Sequence, residues 1–122
     1  MHNFRASQKI RRDNFGESHA AVAETWYQMG CTLVLEENYE YAVKCLKKAV
    51  SIQKDECGLE SKELGDSQHM LGYSHIKVGD YKEALSALQE SLKIRKQTDD
   101  EVGVSQTVYY IATATDLSLN DF

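Results

Sequence analysis

The stretch Trp26-Tyr27-Gln28-Met29-Gly30-Cys31-Thr32-Leu33 returns as Gln68-His69-Met70-Leu71-Gly72-Tyr73-Ser74-His75, with Gly30 meeting Gly72 at a shift of 42 positions. Self-similarity at a fixed period is the signature of a repeat architecture, so this register decides the fold class. It extends in both directions. Tyr39 meets Tyr81, Ala42 meets Ala84, and Leu46 meets Leu88. Ile10 meets Ile52, which meets Ile94, and Phe4 falls on Leu46. At a shift of 41, Gly72 meets Thr113, Val78 meets Leu119, and Asp80-Tyr81 meets Asp121-Phe122.

Inside each copy the apolar period is helical. Trp26, Met29, Gly30 and Leu33 recur at steps of three and four. So do Tyr39, Ala42, Val43, Leu46, Ala49 and Val50, and again Ala84, Leu85, Leu88 and Leu92. Breaks fall at Glu37-Asn38, Gly79-Asp80 and Asn120-Asp121. Asn and Asp accept hydrogen bonds from the free amides of a first helical turn. Asp80 with Glu83 reads as a capping box. The chain contains no proline, where average usage would give roughly six, so its helices lack their main breaker. Basic residues gather where the second helices end: Lys9, Arg11 and Arg12, then Lys54, then Lys93, Arg95 and Lys96. These positions favour cations through the helix dipole and read as solvated ends.

The pattern resembles the tetratricopeptide repeat, whose motif runs W-x2-L-G-x2-Y, then A, F and A. The first copy reads Trp26, Met29, Gly30, Leu33, then Ala42, Leu46 and Ala49; the second reads Gln68, Leu71, Gly72, His75, then Ala84, Leu88 and Ser91. The resemblance implies an all-α fold, a right-handed α-α superhelix of about six helices. The expected layout is one repeat array over 1–122. It has the second helix of a preceding repeat at 3–15, repeat one at 21–56, repeat two at 63–97, and the first helix of a third repeat at 104–119. Both ends then look cut from a longer array. The glycines let the paired helices approach closely, with the alanines at the crossing. The lengthened connection around Ile10 to His19 resembles the form in kinesin light chains and nephrocystin-3-like proteins. That subgroup's asparagine pair is replaced here by Tyr27-Gln28 and His69-Met70.

In this family the first helices line a concave groove that holds short peptide segments of partner proteins. Its positions carry over as Glu24, Tyr27, Cys31 and Val34, then Asp66, His69, Tyr73 and Ile76, then Thr107, Tyr110, Ala114 and Leu117. Such a groove is aromatic and apolar with carboxylates at one rim. It predicts a peptide of about six residues with apolar anchors and a basic end facing Glu24 and Asp66, bound at about micromolar affinity. The alternative is that Tyr27, Tyr73 and Tyr110 only pack between repeats. The lysine, asparagine and arginine clamp of chaperone-binding members is missing, since its positions hold Tyr27, Cys31, Met70 and Thr107.

Apolar residues are 42% and charged residues 27%, as in ordinary globular domains. The net charge of −5 argues against nucleic acid, whose binding needs a basic face. The longest apolar run, Val108 to Ala112, is far short of the about 20 residues of a membrane span. Cys31, Cys45 and Cys57 form no C-x-x-C pair and read as reduced thiols of a cytoplasmic protein, serving as small packing residues. No phosphate loop, H-E-x-x-H or nucleophile elbow occurs, so neither catalysis nor a cofactor or metal is expected. His69 and His75 fall on different faces of a helix, and Asp66 lies one turn from His69. A competing reading is a self-assembling scaffold. Tyr109, Ile111, Leu117, Leu119 and Phe122 would then expose an apolar edge that stacks on another copy.

Overall fold

The structure, a computed structural model, describes residues 19–56 and 61–120. The expected helix over 3–15, Cys57, Asp121 and Phe122 lie outside the described residues. Five helices follow one another: α1 His19–Leu35, α2 Tyr39–Glu56, α3 Lys62–Val78, α4 Tyr81–Gln97 and α5 Glu101–Asn120. Each packs mainly on the next in sequence. Lighter contacts join α1 to α3 and α3 to α5, so the odd-numbered helices form one layer and α2 and α4 the other. This all-helical order of packing is the one the repeat resemblance implies.

Helix ends are set by local chemistry. The α1, α3 and α4 helices all stop on a left-handed residue: Glu37 at φ 61°, Gly79 at φ 90° and Asp99 at φ 55°. After each of these, an amide reaches back to a carbonyl of the last turn. Asn38 N donates to Leu33 O at 2.8 Å, Asp80 N to His75 O at 2.9 Å, and Asp100 N to Arg95 O at 3.0 Å. This closure satisfies carbonyls that the helix itself leaves free. At the start of α3, Ser61 Oγ accepts from Leu64 N at 3.1 Å. Asp100 Oδ1 does the same for Gly103 N of α5 at 3.0 Å. The capping box expected at Asp80 does not form; its side chain caps no amide. Instead Asp80 Oδ2 turns to within 3.8 Å of His75 Nδ1.

The paired helices cross where the repeat register places the small residues. A Cβ on Gly30 would lie 2.6 Å from Leu46 Cγ, and one on Gly72 would lie 2.5 Å from Leu88 Cγ. Neither separation is tolerable, so only glycine lets the leucines seat there. Leu46, Leu88, Ala42 and Ala84 are all fully buried. A similar approach occurs about two turns earlier on α3, where Ile94 Cγ2 would be 2.9 Å from a Cβ on Gly65. Ser91 Oγ donates to Gly65 O at 2.8 Å beside it.

Two clusters make the core. Leu46, Val50, Leu64, Leu71, Ala87 and Ile94 join α2, α3 and α4. Ile76, Ala84, Leu88 and Ala114 join α3, α4 and α5, with Tyr110 and Ile111 packed against them. Ile111 therefore does not belong to the exposed edge expected of α5. Val102, Val108, Tyr109, Leu117 and Leu119 do stand exposed on that helix. Among the described residues no helix is long and apolar enough to cross a membrane.

Candidate protein-interaction face

Residues at i, i+3, i+7 and i+10 share one face of a helix, and the twelve groove positions obey that spacing on α1, α3 and α5. The structure sorts them by depth. Glu24 and Leu117 are exposed. Tyr27, Cys31, Val34, Asp66, Tyr73 and Tyr110 are half-buried. His69, Ile76, Thr107 and Ala114 are buried and form floor rather than contact surface.

The rings meet across helices. Tyr73 on α3 and Tyr110 on α5 stand edge to face at 5.3 Å between centroids. His69 meets Tyr110 at 5.4 Å, and Tyr39 at the start of α2 meets Tyr73 at 6.2 Å. Tyr109 extends the series outward, 5.2 Å from Tyr110. Edge-to-face pairs of this kind are worth about 1 kcal/mol beyond the area they bury. Tyr73 and Tyr110 thus pack between repeats and also keep part of each ring at the surface. Tyr27 enters no ring pair among the described residues; its hydroxyl lies close enough to the Cys31 thiol, one turn on, for each to influence the other's titration.

Beneath the rings lies a polar seam centred on Arg95, which is buried rather than a solvated helix end. Its Nη1 donates to Gly103 O and to Thr107 Oγ1, each at 3.2 Å. Its Nη2 donates to Asp66 Oδ1 at 3.1 Å. One side chain of α4 thereby ties α3 to α5. Thr107 Oγ1 also bonds Gly103 O and sits 3.2 Å from His69 Nδ1. Asp66 is additionally 3.6 Å from Lys62 Nζ. Its charge is compensated twice, which leaves it a poor receptor for a ligand's basic end. Glu24 keeps a freer carboxylate, bonded among the described residues to Gln28 Nε2 at 3.0 Å. Arg95 was absent from the sequence-predicted face. Its signal was its spacing: Leu88, Ser91 and Arg95 follow i, i+3, i+7 on the buried side of α4.

The ionisable groups here are tuned for silence rather than chemistry. Burial, with the Arg95 charge beside it, lowers the His69 pKa to about 4, so its imidazole is neutral at pH 7. Burial likewise raises the Cys31 thiol, and the nearby Asp66 and Glu24 push the same way. A thiol held protonated is a weak nucleophile. Burial is also the main reason the Tyr27 hydroxyl is held well above the usual phenol range, with Cys31 adding to it. His75 is shifted down by burial and by Lys47, against Asp80 and Glu83. Among the described residues no group of three or more His, Cys, Asp or Glu could hold a metal ion.

Residues 22–97 match the tetratricopeptide repeat family model. The chain belongs to the tetratricopeptide repeat family. It is also similar to tetratricopeptide repeat protein 29 of Macaca fascicularis, 28% identical over 109 residues, which covers 85% of this chain and 22% of the relative. The human protein of that name is 27% identical over the same length and coverage. The chain therefore spans about a fifth of the length of these curated relatives. Tetratricopeptide repeats are generally non-catalytic modules of protein–protein interaction, and membership of the family suggests such a module here. No tie to the kinesin light chain subgroup comes out of these matches.

Proposed function

We propose that this tetratricopeptide chain binds short segments of partner proteins on the face formed by α1, α3 and α5, as part of a cytoplasmic adaptor or scaffold. The observation that carries the reading is the series of half-buried rings across α3 and α5, Tyr73 against Tyr110, standing on a floor locked by Arg95. Tyrosines held by their neighbours offer large contact area at little entropy cost. Because Asp66 is already paired, the ligand is read by its apolar or aromatic anchors, and a basic end has Glu24 to meet. The lengthened connection between repeats resembles that of the kinesin light chain and nephrocystin-3-like subgroup, but the subgroup's peptide-holding asparagine pair is replaced here by Tyr27-Gln28 and His69-Met70, so its mode of peptide clamping is not carried over.

The test is selection of peptides from a displayed random library on the folded chain. Enriched peptides should carry apolar or aromatic anchors and bind at about micromolar affinity. The double variant Tyr27→Ala, Tyr73→Ala should lose them while keeping its helical circular dichroism. Undiminished binding by that variant removes the assignment.

A second reading, self-assembly, is favoured by the exposed apolar residues Val108, Tyr109 and Leu119 on α5. Molar mass measured in solution over a range of concentrations separates the two, because a strict monomer leaves that edge without a partner copy.

A further inference from the structure

Helix α1 has a second face, on the far side of its axis from Tyr27, Cys31 and Val34. Trp26, Met29 and Leu33 lie on it, and Tyr41 and Cys45 of α2 complete an open apolar pocket of about 310 Å³. Met29 and Cys45 are buried and form its floor, where the Cys45 thiol donates to Met29 Sδ at 3.4 Å. Trp26 is half-buried and Tyr41 exposed, so the walls are aromatic. Two lysines stand at the rim. The Lys44 ammonium lies 5.2 Å from the Tyr41 ring centre, and the Lys48 ammonium 5.4 Å from that of Trp26. Neither ammonium forms an ion pair among the described residues.

This rim is not a demand of the repeat. The 42-residue shift carries Tyr41, Lys44 and Lys48 onto Glu83, Ser86 and Glu90. Those three are also exposed, so the second hairpin keeps the positions and reverses their charge. A position fixed by packing keeps its character between copies, as the glycine-leucine crossings do.

We propose that the pocket docks an acidic segment of a partner protein, with an aromatic side chain as anchor and carboxylates against Lys44 and Lys48. The volume is about twice that of a ~150 Å³ cavity that takes up benzene, which leaves room for one ring at an open mouth. Two sulphurs at the floor favour an aromatic ring over an aliphatic chain. Lys44 and Lys48 are one helical turn apart and offer two neighbouring cations. Each is already laid against a ring, so it loses little further freedom when a carboxylate arrives. In a chain of net charge −5 this rim is a local reversal of sign, and its complement is an acidic segment. The pocket lies outside the α1, α3 and α5 layer and does not rest on the reading of that layer.

Trp26 is the single tryptophan of the chain, so its emission reports on the pocket. The probe is a synthetic helical peptide with one phenylalanine and a glutamate one turn to either side, titrated into the full chain. It should move the Trp26 emission to shorter wavelength and lower its quenching by acrylamide. The same peptide with alanine for phenylalanine, or with lysines for glutamates, should do neither. Lys44→Glu combined with Lys48→Glu should weaken binding by about tenfold or more, because two exposed attractions become repulsions. The lysine peptide should then bind that variant. Lys47→Glu, exposed on α2 but outside the pocket, should change the affinity by less than about twofold. The proposal fails if the glutamate peptide binds the double variant as tightly as the unaltered chain, or if the alanine peptide protects Trp26 equally well. It also fails if Trp26 of the chain alone is already fully shielded from acrylamide, which assigns the pocket to a segment of the same chain. A blue shift that follows protein concentration without peptide assigns it to a second copy and likewise overturns the proposal.

Discussion

The hairpins α1–α2 and α3–α4 share a crossing and differ in their seams. Both crossings seat a buried leucine on a glycine, Leu46 on Gly30 and Leu88 on Gly72. The seam beside the second holds Arg95, bonded to Asp66, Gly103 and Thr107. At the matching position of the first stands Gln53, also buried, whose Oε1 finds no partner among the described residues. The crossing is a steric requirement that any copy of the repeat must meet. The seam is free to vary, and its variation determines how firmly neighbouring inner helices are tied together. The face read here as the interaction surface is firmest between α3 and α5, where rings and polar seam coincide.

The largest effects should come from the shared crossing. Leu46→Ala and Leu88→Ala should each lower stability by about 3 kcal/mol, because each empties a fully enclosed site. Urea denaturation of the two variants checks this, and a large inequality breaks the equivalence of the crossings. Gly72→Ala should cost about 1–3 kcal/mol alone but much less in the Leu88→Ala background, where the offending side chain is gone.

Acid should act next, and through α3, which carries the two histidines found buried among the described residues. Because the folded-state pKa of His69 is about 4, below the unfolded value, the unfolded chain takes up its proton first. Stability is complete above about pH 6.5 and falls as the pH drops toward 4, by up to about 3 kcal/mol from this residue. His75, also lowered, adds to the loss in the same sense. Denaturation at pH 7, 5.5 and 4.5 should show the slope, and His69→Phe should flatten most of it.

The seams themselves come third. Arg95→Met should cost about 2 kcal/mol, less than a deeply buried pair because Asp66 is partly open to water and keeps Lys62. Gln53→Met should cost under about 1 kcal/mol, since it removes an oxygen that is buried without a partner. Equal costs would erase the distinction between the seams. Smallest are the helix ends. Gly79→Ala should destabilise by about 1 kcal/mol, and Glu37→Gly should gain a fraction of that, because both positions hold a left-handed backbone.

What was legible beforehand followed from periodicity. The glycine-leucine crossings, the breaks near residues 37 and 79 and the alternation of two helix layers all rest on spacing that recurs in the sequence. What escaped depended on three helices converging at once. Arg95 carries a charge that ordinarily marks solvent, and only the approach of Gly103 and Asp66 from two other helices makes a buried place for it. Asp66 looked like a free rim carboxylate for the same reason. The Asp80 carboxylate had two local options, the first turn of α4 or His75 across the loop, and the one-dimensional pattern pointed to the one not taken. Of the twelve positions carried over for the face, spacing placed them on one side of each helix, but depth was set by the ring contacts across helices.

The central claim is that partner segments lie on the α1, α3 and α5 layer. It is tested most directly by titrating a library-selected peptide into isotope-labelled chain and mapping the amide shifts. The account predicts that the largest shifts cluster around Tyr27, Cys31, Val34, Tyr73 and Tyr110. Shifts concentrated on the outward faces of α2 and α4, with those five unmoved, would contradict it.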